Sequence, residues 1–156
     1  MKKTIVLVLA TMFATVCFAQ QQLATLNHND SVSIFYGPTA LQQAYDSAVN
    51  GDVILLSSGA FDQITIEKSI TIRGNGMISD TIAVVEPTII NGCTLGNYND
   101  SVTSNLVVEG VRFASYTTYL GWLTNPTFRK CCILYSRITI GSIKHAFSES
   151  RIREPT

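Results

Sequence analysis

Ile70-Thr71-Ile72-Arg73-Gly74, Thr88-Ile89-Ile90-Asn91-Gly92 and Leu106-Val107-Val108-Glu109-Gly110 are three copies of one pattern, with their glycines eighteen residues apart both times. A looser copy, Thr127-Phe128-Arg129-Lys130-Cys131, arrives twenty-one residues later without its glycine. A fixed period marks a repeat architecture, in which each unit buries its apolar face only against its neighbours. Inside each copy, apolar and polar residues alternate as in a strand. The prediction is a stack of coils, each built of short strands, with successive coils about 4.8 Å apart. Equal spacing places Ile72, Ile90 and Val108 in one inward column. Cys93, Val111 and Cys132 form a second column, and Leu95, Phe113 and Leu134 a third. Gly74, Gly92 and Gly110 are the corners, with Arg73, Asn91 and Glu109 stacked outside just before them.

Upstream of the repeat, Val53-Ile54-Leu55-Leu56 is a continuous apolar run, and Ile64, Ile66, Ile70 and Ile72 alternate around the polar corner Glu67-Lys68-Ser69. Before these lies a helix. Thr39 and Gln42 have capping-box spacing, and Leu41, Ala44, Tyr45, Ala48 and Val49 fall on one face. Gly51 suits a left-handed exit. Residues 20–37 form a lead-in, polar and mobile from Gln20 to Asp30 and then the short strand Ser31-Val32-Ser33-Ile34-Phe35-Tyr36, stopped by Gly37-Pro38.

From Leu41 to Leu56, through Ser58-Gly59-Ala60-Phe61, and on from Ile64 to Gly74, the chain resembles the opening turns of right-handed parallel β-helix proteins of the pectin-lyase-like superfamily. There a capping helix closes the barrel end, a Gly-Asp-apolar strand follows, and a coil of the form Ile-x-Lys-x-Ile-x-Ile-x-Gly comes next. The resemblance is carried by residues 40–76 and continues through 115. It implies an all-β fold, a right-handed parallel β-helix with an N-terminal capping α-helix at 39–50 and coils from 52, occupying residues 38–156. The superfamily includes polysaccharide lyases, hydrolases, adhesins and surface proteins, so the fold alone assigns no activity. The chain has room for five or six coils of about twenty residues and stops at Arg153-Glu154-Pro155-Thr156 without a visible closing element. It therefore reads as the front of a longer protein, the alternative being a short β-helix whose last coil is covered by residues 143–152.

Residues 1–19 have the layout of a secretory signal peptide: Lys2 and Lys3, an apolar run from Thr4 to Val16, and Cys17-Phe18-Ala19 before a cut at Gln20. The expected location is the periplasm, the cell surface or the extracellular medium, with no membrane span after cleavage. The remaining chain has nine basic and eleven acidic residues, so it has no basic field suited to nucleic acid. Up to Glu109 it carries nine acids and two bases, and from Gly110 seven bases and two acids. This basic later part could meet an acidic polysaccharide, and ordinary solvation of surface charge explains it equally. Cys93, Cys131 and Cys132 remain after cleavage, an odd count that argues against a disulfide framework. All three are expected as thiols, with one of the adjacent pair inside and one outside.

Candidate chemistry is sparse. Asp62 and Asp80 are one period apart, but a solvated position is the default for a surface acid. His28 and His145 stand alone, without a second ligand at metal spacing. No cofactor, metal site or catalytic constellation is expected. Tyr116, Tyr119 and Trp122, in an insertion at 115–126 without strand alternation, together with Arg129, are the candidate carbohydrate-binding residues. Their rings would stack on apolar sugar faces; the alternative is that they fold back onto Ile89 and Val107. The expected role is a secreted or envelope β-helix repeat protein, structural or glycan-binding, without catalysis in this chain. The alternative is the N-terminal part of a polysaccharide lyase or glycoside hydrolase.

Overall fold

The computed structural model describes residues 21–77, 86–96, 103–114, 118–120, 123–134, 147–148 and 151–153. The leader at 1–19 lies outside the described residues. The described residues start with an antiparallel hairpin of β1 (Leu23–His28) and β2 (Ser31–Tyr36). Its turn residues Asn29 and Asp30 both have positive φ, 43° and 63°, the backbone a two-residue turn needs to match strand twist. The first half of the expected mobile lead-in is thus a strand, because Ala24 and Leu26 alternate into the core.

The helix α1 (Ala40–Ser47) buries Ala40, Leu41, Ala44 and Tyr45. It is shorter than expected, and its capping box does not form. Thr39 has φ −85° and ψ 1° and makes no side-chain cap bond; it lacks the extended backbone an N-cap needs. Gln42 instead donates to Asp46 Oδ1 at 2.7 Å, and Gln43 to Thr39 Oγ1 at 3.0 Å. Ala48 turns extended, which leaves Val49 51% exposed rather than on the buried face.

Beyond α1 the chain is a succession of short strands. The first pass contains β3 (Val53–Leu56), β4 (Gly59–Phe61) and β5 (Ile64–Ile66). The second contains β6 (Thr71–Arg73), β7 (Thr88–Ile90), β8 (Cys93–Leu95) and β9 (Thr103–Ser104). The third contains β10 (Val107–Glu109), β11 (Val111–Ala114), β12 (Thr118–Leu120) and β13 (Leu123–Thr124). Then come β14 (Thr127–Arg129), β15 (Cys132–Leu134), β16 (Phe147–Ser148) and β17 (Arg151–Arg153).

Corresponding strands of successive passes pair in parallel. The sheet orders are β16-β14-β10-β6-β3-β1-β2, β17-β15-β11-β7-β4, β12-β8-β5 and β13-β9. Apart from the hairpin and its β1–β3 junction, every pair is parallel. The described residues are therefore mostly β, in parallel sheets with one short helix among them, an arrangement compatible with a β-helix. β16 and β17 extend two sheets, where the sequence offered residues 143–152 as a cover for the last coil.

The inward columns differ from those expected. Leu26, Ile54, Ile72, Val108 and Phe128 line up across the largest sheet. Ile90 lies instead with Phe61 and Phe113 in the second sheet, so the column Ile72–Ile90–Val108 is wrong at its middle member. Cys93 registers with Ile64 and Thr118, Val111 with Thr88, and Cys132 with Arg112. Leu95 registers with Ile66 and Leu120, and Phe113 with Ile90 and Ile133. The second and third expected columns therefore do not exist either. The eighteen-residue glycine spacing spans half a pass at this point, because Ile72 meets its own sheet again only at Val108, thirty-six residues on.

The core is continuous. Ile54, Phe61, Ile66, Ile72, Ile90, Leu95, Val108, Phe113, Phe128 and Ile133 all have 0% exposure, each contributing about 1.5–3 kcal/mol of burial for a large apolar side chain. Among the described residues no disulfide joins Cys93, Cys131 and Cys132. Cys131 is the buried member of the adjacent pair and Cys132 the half-buried one, the reverse of the column that put Cys132 inside. Cys132 pairs with outward-facing Arg112 and so shares its face.

Candidate functional site

Three charged residues meet on the outer face of the largest sheet. Arg73, Glu109 and Arg129 end β6, β10 and β14 in direct register, so parallel stacking sets their backbones about 4.8 Å apart. Arg73 Nε lies 3.4 Å from Glu109 Oε2, and Arg129 Nη1 lies 3.7 Å from Glu109 Oε1. The arginines are more than half exposed while Glu109 is 25% exposed. Exposed pairs of this kind contribute only about 0–1 kcal/mol each to stability.

The chain turns immediately after these residues, and the turn is hollow. An open cleft of about 710 Å³ is bordered by Arg73, Glu109 and Lys130, with Gly74, Asn75, Gly76, Met77 and Gly110 completing it. The glycines beside it let two successive turns approach closely. A β-carbon on Gly74 would sit 2.5 Å from the Gly110 carbonyl oxygen and 2.8 Å from Thr88 Cβ. Gly110 has φ +68°, and Lys130 takes the left-handed backbone at the next corner, φ 52°. This explains how the looser fourth copy dispenses with its glycine: lysine adopts the same backbone at some strain.

Buried hydroxyls hold the corner. Thr88 Oγ1 donates to Ser57 O at 2.9 Å and accepts from Asn75 N at 2.8 Å, while Asn75 Nδ2 donates to Ser58 Oγ at 2.9 Å. Asn75 is thereby fixed at the rim.

Electrostatically the site is one carboxylate among three cations, Arg73, Arg129 and Lys130. Each guanidinium offers five donors in a planar fork that suits carboxylate and phosphate, and the ladder engages one nitrogen of each. The surplus suits an anionic ligand. Among the described residues that border the cleft, Glu109 is the one carboxylate.

Of the residues expected to bind carbohydrate, Arg129 is in this ladder. Tyr116 and Trp122 lie outside the described residues. Tyr119 is in β12, in register with Thr94 of the three-stranded sheet, so its backbone and that of Arg129 belong to different sheets. The expected strandless insertion also contains β12 and β13. Asp62 is exposed, and Asp80 and His145 lie outside the described residues.

Arg73 and Glu109 were legible as outward stackers, but Asn91 was placed between them, and Arg129 holds the third position instead. The left-handed asparagines Asn105 and Asn125, φ 56° and 51°, were a missed signal. They stand twenty residues apart before β10 and β14 and mark the true register, with Asn105 N donating to Thr124 O at 2.9 Å.

A second polar cluster is structural. His28 Nδ1 meets Asp52 Oδ1 at 2.8 Å, and Val49 N donates to Asp52 Oδ2 at 2.8 Å. Burial alone would raise the Asp52 pKa. The hydrogen bonds from Val49 N and His28, with the charges of His28 and Lys68, outweigh it and hold the carboxyl below its usual range. Among the described residues no group of three potential ligands could hold a metal, and no helix is long and apolar enough to cross a membrane. No family model, curated protein or solved structure matches the chain.

Proposed function

We propose that this chain is an exported right-handed parallel β-helix protein that holds an acidic polysaccharide at the Arg73–Glu109–Arg129 column, as a structural or adhesive element of the cell envelope or its surroundings. The observation that carries the reading is the surplus of cation at the ladder: Arg73 and Arg129 flank the one carboxylate of Glu109, and the open cleft beside them is bordered by Arg73, Glu109 and Lys130. Stacked passes put donors at regular intervals along one sheet, matching a repeating anion better than a single small one. The leader at 1–19 and the resemblance over residues 40–76 support export and the solenoid form. Tyr116, Tyr119 and Trp122 would add ring-to-sugar stacking.

The test is calorimetric titration of the purified chain with oligogalacturonate and with a neutral oligosaccharide of equal length. The acidic ligand should bind and weaken with added salt, as screened charge contacts do. Arg73→Ala and Arg129→Ala should each lower affinity about tenfold, as loss of a charge-assisted hydrogen bond would. Glu109→Gln should bind at least as tightly as wild type. Equal binding of the neutral ligand, or indifference to both arginine changes, would remove the proposal. Release of unsaturated uronate would replace it with the lyase alternative.

A further inference from the structure

The outer edge of the largest sheet ends in β2, which pairs with β1 alone among the described residues. The hairpin register decides which backbone groups face outward. His28 and Ser31 close the turn, and Gly37 N donates to Gln22 O at 2.8 Å. By antiparallel alternation Ser31, Ser33 and Phe35 direct their backbone groups to β1, and Val32, Ile34 and Tyr36 direct theirs to the open edge. The same three residues carry exposed apolar side chains, at 62, 50 and 54%. Leu55, 38% exposed, continues this face two strands inward through Thr25.

Proteins ordinarily blunt such an edge with lysine, proline, a bulge or a cover. Ser31-Val32-Ser33-Ile34-Phe35-Tyr36 has neither lysine nor proline, and its six residues pair with β1 one for one, without a bulge. It is a short, uncharged segment of high β-propensity, the composition that pairs with its own kind.

We infer that β2 pairs antiparallel with β2 of a second copy of this chain, joining two seven-stranded sheets across a twofold axis at Ile34. The register is self-complementary, as a twofold interface requires. Ile34 faces Ile34 of the second copy, and Val32 faces the second copy's Tyr36. All these residues have their hydrogen-bonding groups toward the junction. An aromatic opposite a β-branched residue is a favourable cross-strand pair. Charge selects a second copy over an acidic or basic peptide. The strand offers a charged partner nothing to pair with, and Asp30 falls opposite Pro38 of the other copy, so like charges do not meet. The junction is one strand wide, which falls below the roughly 800 Å² per partner of a standard interface. The dimer therefore forms and dissociates with concentration.

Sedimentation velocity over a wide concentration series tests this on the purified chain. Wild type should pass from monomer to dimer and no further. Ile34→Lys places two ammonium groups at the axis and should stay monomeric, as should Ile34→Glu, and an equal mixture of the two should recover the dimer. Val32→Pro removes an N–H that only the open edge uses, and it should dissociate the dimer while circular dichroism and melting temperature stay near wild type. Wild type that is monomeric throughout or assembles beyond the dimer overturns the inference. So does a persistent dimer in Ile34→Lys, or a mixture that fails to associate.

Discussion

Replacing Lys68 with methionine probes how the helix is tied to the strands. Lys68 Nζ donates to Tyr45 O at 2.6 Å, Ala48 O at 2.8 Å and Asp46 O at 3.3 Å. The ammonium also lies 4.5 Å from the centroid of the Tyr45 ring. The last carbonyls of a helix have no partner within it and carry the negative end of its dipole, so one lysine closes this terminus. Methionine keeps the stem and loses the charge. A hydrogen bond involving a charged group contributes about 1.5–3 kcal/mol. The dipole and ring contacts add about 0.5–1 kcal/mol each. Lys68 is only half-buried, so water replaces part of this in the variant, and the expected net loss is about 2–3 kcal/mol. Urea denaturation followed by far-ultraviolet dichroism measures it, as a lower midpoint with unchanged slope. A loss under about 0.5 kcal/mol, the scale of an ordinary surface change, would show that the helix end is held by packing of Leu41 and Ala44 alone.

Other outcomes follow from the same structure. Gly74→Ala should cost about 1–3 kcal/mol by overpacking, because its β-carbon meets a carbonyl oxygen at 2.5 Å; thermal melting of the variant reads this directly. The Asp52 carboxyl titrates lower folded than unfolded, so its stabilisation is present above the ordinary carboxylate pKa of about 4 and is lost as pH falls through the folded value. Wild type and Asp52→Asn should accordingly differ most near neutral pH and converge in acid, and parallel curves from pH 7 to 3 would refute the assignment. Burial drives the Cys93 thiol far up and the Cys131 thiol to about 11, so iodoacetamide should modify Cys132 first in the native protein, counted by mass spectrometry.

Much of the fold was legible because strand alternation and corner chemistry are local. Ile64-Thr65-Ile66 and Ile70-Thr71-Ile72 alternate visibly, and Leu41, Ala44 and Tyr45 form the buried stripe of a helix. Parallel pairing followed from periodicity for the first, third and fourth copies, but not for the second, which pairs with β4 and β11. His28 was read as isolated because its partner, Asp52, is twenty-four residues away and meets it only when β1 joins β3. Lys68 was legible as part of a polar corner, but not as the helix's closing group, for the same reason: its three acceptors are brought to it by tertiary packing.

By itself the chain determined that it would make short strands with β-branched residues inward, one amphipathic helix and glycine or asparagine corners, because these depend on neighbours a few residues away. Which strand lies on which was left to the tertiary structure. Thr88-Ile89-Ile90-Asn91-Gly92 has the same pattern as the copies on either side of it, yet belongs to another sheet. The reason is geometric: every sheet around the core asks for the same inward and outward alternation, so a repeat can match a half pass as well as a whole one. Only long-range pairing separates the two: β14, and not β7, pairs with β10, which sets Arg129 rather than Asn91 beside Glu109.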